Sequence, residues 1–89
     1  MYWTYILQCC DGSYYVGSTA DLVDRVQLHN SGNGPTFTAN RLPVQLVYSE
    51  ERPTLESAVK RERQIKRWSH AKKAALTTGD SRRLKALSR

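Results

Sequence analysis

No window of eighteen or more apolar residues occurs in the 89-residue chain, which excludes a membrane-spanning helix. The first residues, Met-Tyr-Trp-Thr-Tyr, lack the basic-then-apolar layout of a secretory leader, so a cytoplasmic location is the expectation. Cysteine is scarce, and the two present, Cys9 and Cys10, are adjacent. Neighbouring Cα atoms stand about 3.8 Å apart, closer than an ordinary disulfide tolerates, so both are read as reduced thiols. Unspaced and without a partner pair, they also make poor metal ligands. Neither an internal repeat nor a low-complexity tract is present. At this length the chain reads as a single domain, 1–89, near the lower limit for a core that folds alone.

What is present begins with a hairpin. Residues 4–17, Thr-Tyr-Ile-Leu-Gln-Cys-Cys-Asp-Gly-Ser-Tyr-Tyr-Val-Gly, put β-branched and aromatic residues on both sides of an Asp-Gly step, a strong signal for two paired strands. A two-residue loop at Asp11-Gly12 would place Tyr5 and Tyr15 on opposite faces, because side chains alternate with period 2. A three-residue loop, Cys10-Asp11-Gly12, would pair Cys9 with Ser13 and put Gly12 at the left-handed position. Tyr15 then faces Leu7, Tyr5 faces Gly17, and the two phenols become diagonal neighbours about 7–8 Å apart at the backbone. The second register is the expectation.

Further along, Ser18-Thr19-Ala20-Asp21-Leu22 reads as a Ser or Thr cap with an acid in the first helical turn. Leu22, Val23 and Val26 form the stripe of that helix. Arg25 and His29, four residues apart, emerge on one flank. Residues 30–43 are loop by composition, long enough to be functional. A third strand follows at Val44–Tyr48, bounded by Pro43 and the Glu50-Glu51 pair, with its direction in the sheet left open. Thr54 caps the next helix, whose apolar positions are Leu55, Ala58, Val59, Ile65 and, at the edge, Trp68. Glu62 interrupts that stripe. A carboxylate facing inward is costly unless it is paired or holds a cation, so Glu62 is either salt-bridged to a neighbouring Arg or a ligand. Ser69 or His70 starts a short helix ended at Gly79, and 81–87 reads as a fourth helix or a basic tail.

Charge is unevenly spread. Residues 60–89 hold eleven Lys/Arg against Glu62 and Asp80, while residues 1–59 hold three Arg against six acids. Such a C-terminal excess suits a polyanion, although basic runs are also common on solvated helices.

Two phenols on one sheet face, Arg25 with His29, and an inward acid make a coherent set for phosphodiester chemistry. That reaction needs an activated water, a cation against the non-bridging oxygens, and a group stabilising the leaving oxygen. One Glu with water and phosphate ligands suits Mg²⁺, which keeps several waters. Arg25 offers a fork of donors to phosphate, and a tyrosine with a lowered pKa can serve as general base. Each residue also has a bland reading: core tyrosines, a capping histidine, a solvated basic surface.

Thr4-Tyr5-Ile6, Tyr15-Val16-Gly17, Arg25-x-x-x-His29 and Ala58-x-x-x-Glu62-x-x-Ile65-Lys66 resemble, in order and spacing, the GIY-YIG nuclease domain. The likeness spans residues 3 to about 77, leaving 78–89 as a basic C-terminal tail or helix, and is greatest to the small stand-alone, URI-type branch. The resemblance implies an α+β fold, a three-stranded antiparallel sheet flanked by helices. It implies a DNA-cutting nuclease with little sequence preference, using one Mg²⁺ or Mn²⁺ ion held by Glu62. By the same likeness Tyr5 and Tyr15 line the active site, one of them helping to deprotonate water. Arg25 would stabilise phosphate charge, and His29 would position groups or carry a proton. Arg41, Lys66, Arg67, Lys72 and Lys73 are the expected nucleic-acid contacts. Two departures stand out: Ser18 replaces the Lys that many relatives carry after Tyr-x-Gly, and Lys72-Lys73-Ala74-Ala75 lacks the Asn that several use. Two rival expectations accompany this reading, a non-catalytic nucleic-acid-binding module of the same fold and a nuclease subunit that needs a protein partner.

Overall fold

The chain turns back on itself at Cys10-Asp11-Gly12. A computed structural model describes residues 1–79, and in it Cys9 N–H donates to Ser13 O at 2.8 Å and Gly12 N–H to Cys9 O at 2.9 Å. Gly12 sits at φ +86°, where a side chain would be strained. This is the three-residue loop, and it fixes the register of β1 (Tyr2–Gln8) against β2 (Tyr14–Thr19), with Tyr5 opposite Gly17 and Leu7 opposite Tyr15.

The third strand, β3 (Gln45–Arg52), lies antiparallel to β1 on its other side, giving the order β2-β1-β3. It corrects the expected boundary, since Glu50 and Glu51 are strand residues facing Thr4 and Trp3. Two acids do not end the strand because the charge on Glu50 is met by Arg52 at 3.2 Å and Arg61 at 3.1 Å.

Helix α1 (Leu22–Asn30) is capped by Asp21, whose side chain accepts from Asp24 N–H at 3.1 Å. The cap is therefore neither Ser18 nor Thr19, because β2 carries both as strand residues. Leu22 and Val26 pack inward, whereas Val23 is 67% exposed. The four-residue spacing of Leu22 and Val26 keeps both on the buried side, and Val23, one position on from Leu22, is turned about 100° away from it. The segment read as loop contains a single-turn helix, α2 (Thr36–Ala39). Helix α3 (Leu55–Lys66) is capped by Thr54 as expected. Helix α4 (His70–Thr78) is capped by Ser69 and closed by Gly79 at φ +72°. The helix or tail expected at 81–87 lies outside the described residues.

The sheet carries a core on each face. Tyr5, Leu7, Cys9 and Val44 pack with Leu22, Val26 and Leu42 on the α1 side. Ile6, Val16 and Ile65 pack with Trp68 and Leu76 on the side of α3 and α4. Thr4 Oγ1 pins α3 to β1 by donating to Ala58 O at 2.9 Å. Strand β2 is left as an edge, open for side chains from both faces to meet around it. Among the described residues, no helix is long and apolar enough to cross a membrane.

Candidate active site

The site starts from the pairing of Tyr5 with Gly17. A Cβ on Gly17 would stand 2.5 Å from the Tyr5 hydroxyl oxygen and 2.6 Å from Cζ, so the missing side chain is what lets the Tyr5 ring cross β2. Tyr15, two residues earlier on β2, lies on the same face, its ring centroid 6.5 Å from that of Tyr5. The register thus places both phenols together.

Helix α1 carries His29 between them. His29 is fully buried, with Nε2 at 3.2 Å from Tyr5 Oη and its ring 5.0 Å from that of Tyr15. Its other nitrogen, Nδ1, lies 2.8 Å from Thr38 Oγ1 on α2. Thr38 donates its one hydroxyl proton to Pro35 O at 3.1 Å, so it accepts from His29 Nδ1–H. That assigns the tautomer: Nε2 is the acceptor, and the Tyr5 hydroxyl donates to it. Burial, helped by the Arg25 guanidinium, pushes the His29 pKa down and keeps the ring neutral. Burial likewise pushes the Tyr5 phenol up to about 12, with Tyr15 and Glu62 adding to the rise and Arg25 opposing it. Gly34 packs against this ring: a Cβ there would stand 3.1 Å from His29 Nδ1.

Glu62 approaches from the other face. Its helix packs over Ile6 and Val16, and the acid reaches the edge of β2 at Ser18, the residue after Gly17. Ser18 Oγ donates to Glu62 Oε1 at 2.7 Å and Lys66 Nζ pairs with Oε2 at 2.7 Å. The expected arginine partner is instead a lysine one turn along α3. The five residues singled out from sequence therefore gather around Gly17 and Ser18, the phenols, Arg25 and His29 on one face and the carboxylate on the other. A carboxylate with a neighbouring hydroxyl is a hard-oxygen donor set. Among the described residues, no group of three or more His, Cys, Asp or Glu could hold a metal ion.

The expected nucleic-acid contacts separate. Arg41 ties the loop to the hairpin tip, pairing with Asp11 at 3.1 Å and lying over the Phe37 ring at 4.1 Å. Lys66 is paired with Glu62. Arg67 and Lys72 line a broad groove on the outer side of α3 together with Lys60, Arg63 and Trp68, the Lys72 ammonium standing 4.0 Å above the Trp68 ring. Lys73 is partly buried, and that burial pushes its pKa down. Sequence reasoning noted Ser18 only as a possible cap and as a replacement for a lysine, missing its bond to Glu62, and missed Thr38 altogether. Ser18 could have been found from its place beside Gly17, whereas nothing in a one-turn helix announces Thr38.

Residues 1–75 match the family model described as the GIY-YIG catalytic domain. A UPF0213 protein of Halobacterium salinarum is 42% identical over 76 residues, spanning 85% of this chain and 99% of that one. Another, from Staphylococcus saprophyticus, is 45% identical over 75 residues, 84% of this chain and 92% of its own. The solution NMR structure of a UPF0213 protein from Bacillus halodurans matches with a TM-score of 0.55 at 39% identity, covering 88% of this chain and 84% of that one.

Proposed function

The chain belongs to the GIY-YIG catalytic-domain family, and from that premise we propose that it is a metal-dependent nuclease hydrolysing phosphodiester bonds in DNA by a one-metal route, with little sequence preference. The observation that carries this reading is the gathering of Tyr5, Tyr15, Arg25 and His29 on one face of β2 with Glu62 reaching its edge from the other. Glu62 would hold the ion, Mg²⁺ or Mn²⁺, which supplies Lewis acidity toward phosphate and water.

The two tyrosines take different tasks. Tyr5 directs its proton at His29 Nε2, and a phenol at about 12 is a poor base near neutral pH. Its task is to orient, with His29 and Thr38 as a fixed chain behind it. Tyr15 is the remaining phenol: once it has given its own proton to solvent, its phenolate would take the proton from water. Arg25, whose charge already acts on Tyr5 and His29, meets the phosphate. The groove of Lys60, Arg63, Arg67 and Lys72 carries the strand's backbone, and contacts of that kind bring affinity without sequence and a steep dependence on salt.

The test is Mg²⁺-dependent cleavage of single-stranded, duplex and branched DNA by wild type and Glu62→Ala. Cutting by wild type alone supports the nuclease. Glu62 has a hydrogen-bond donor at each oxygen, which favours a second reading, a binding module that never turns over. Wild type that binds DNA and leaves every substrate intact would establish that one.

A further inference from the structure

Glu62 has two oxygens and two donors, and the donors are held very differently. Ser18 sits inside the β1–β2 pairing, opposite Thr4. Lys66 ends α3, and its side chain is 49% exposed against 18% for Glu62. A lysine presents a compact ammonium on a flexible stem, whereas an arginine fork would fasten the carboxylate in one geometry. Being four residues apart on one helix, the acid and the ammonium reach each other without any tertiary constraint. A divalent ion bound at Oε2 and the Lys66 ammonium are two cations seeking the same lone pairs.

We propose that Lys66 is a resident counter-ion of Glu62, displaced by the divalent metal, and that this competition sets the metal affinity of the site. The proposal rests on reading Glu62 as the ligand. The Ser18 hydroxyl stays with Oε1 and keeps the carboxylate aimed at the edge of β2 while Oε2 changes partner. A half-exposed ion pair contributes little: it is weak enough for a hard dication to break and strong enough to measure.

The experiment is Mn²⁺ binding to the metal-stripped full chain, titrated by the free-Mn²⁺ electron paramagnetic resonance signal. Lys66→Met and Lys66→Gln are each expected to tighten binding by about two- to fivefold. Arg67→Met removes the same charge one residue further along, without touching Glu62, and is expected to change affinity less. Two lysine variants guard against one misfolding, and far-ultraviolet circular dichroism checks both. Equal affinities for Lys66→Met and Arg67→Met, or weaker binding by the lysine variants, would overturn the counter-ion. Glu62→Gln reports on the premise alone: if it binds Mn²⁺ as tightly as wild type, Glu62 is not the ligand and the premise fails with the proposal.

Discussion

Glu50 and Glu62 are the same residue type at the same exposure, 17% and 18% for their side chains, and they are held in opposite ways. Glu50 accepts from Tyr48 Oη at 2.8 Å, Arg61 Nε at 3.1 Å and Arg52 Nη1 at 3.2 Å. Arg52 is in turn fixed to Ser57 Oγ at 2.9 Å. Glu62 has one hydroxyl and one long ammonium. Two guanidinium groups make Glu50 a rivet between β3 and α3, and neutralising it leaves both of them short of a shared counter-charge. Among the described residues, the one tie of Glu62 to another element is the Ser18 hydroxyl on β2. An inward carboxylate with one fixed hydroxyl and one exchangeable ammonium is the one proposed above for chemistry, although burial alone cannot tell it from the other.

Exchanging each acid for its amide is the sharpest way to break this contrast. Glu62→Gln is expected to lower DNA cleavage by about 10²–10³-fold, the several kcal/mol that a bound metal supplies, with thermal stability nearly unchanged. Glu50→Gln is expected to keep cleavage per folded molecule and to cost about 1–3 kcal/mol of stability. For a domain this small, each kcal/mol lowers Tm by about 4–8 °C. Parallel assays of turnover and calorimetric Tm check both, and a loss of activity without a loss of stability in Glu50→Gln would erase the distinction.

The tyrosines should divide along the same line. Tyr15→Phe is expected to lower turnover by about 10²-fold while DNA affinity stays put; equal loss of rate and affinity would mark a structural role. Tyr48→Phe is expected to spare turnover and cost about 1 kcal/mol through its lost hydrogen bond. Smaller still is the contrast between the cations. Arg61→Met should destabilise by about 1–2 kcal/mol, since Arg61 also meets Gln64 at 2.9 Å and lies 5.1 Å from the Trp68 ring centroid. Lys66→Met should change stability by less than about 0.5 kcal/mol. Urea denaturation of the two variants measures the difference.

Much of this arrangement was legible from the chain. The Asp11-Gly12 step, read with period-2 alternation, allowed only one loop length to bring Tyr5 and Tyr15 together, and Glu62 declared itself by interrupting an apolar stripe. Thr54, Ser69 and Gly79 carry their helix ends in their own side-chain chemistry. What stayed hidden depended on partners distant in sequence. Helix α2 is one turn long and has no periodicity, so Thr38 and its bond to His29 could not be foreseen. Strand β3 runs through Glu50 because a counter-charge arrives from Arg61 on α3. Val23 looked inward only because two adjacent apolar residues cannot be ranked without knowing how α1 lies on the sheet. That Glu62 stands across the sheet from the phenols, and reaches the edge of β2 at Ser18, follows from the face that α3 covers, which the residues left open.

The dependence of stability on pH separates the two regions at both ends of the scale. Burial and Arg25 push the His29 pKa below its ordinary 6.5, so below that value the unfolded chain binds the proton more readily than the folded one. Stability from this group is present above pH 6.5 and is lost as pH falls through the folded value. The Tyr5 and Tyr48 phenols are both pushed from 10 up to about 12, in each case chiefly by burial. Their sign is reversed: the folded protein keeps protons that the unfolded chain gives up, so their contribution is present below pH 10 and is lost between about 10 and 12. The acid limb carries the His29 contribution, whereas the alkaline limb is shared by the site, the Glu50 cluster and the buried Cys9 thiol, whose pKa burial also raises, with Lys73 opposing them. Tyr48→Phe should therefore make the alkaline fall shallower and leave the acid limb where it was. Denaturation midpoints taken from pH 4 to 11.5 would show it, and an acid limb that moved with Tyr48 would mean the two regions are coupled through the sheet after all.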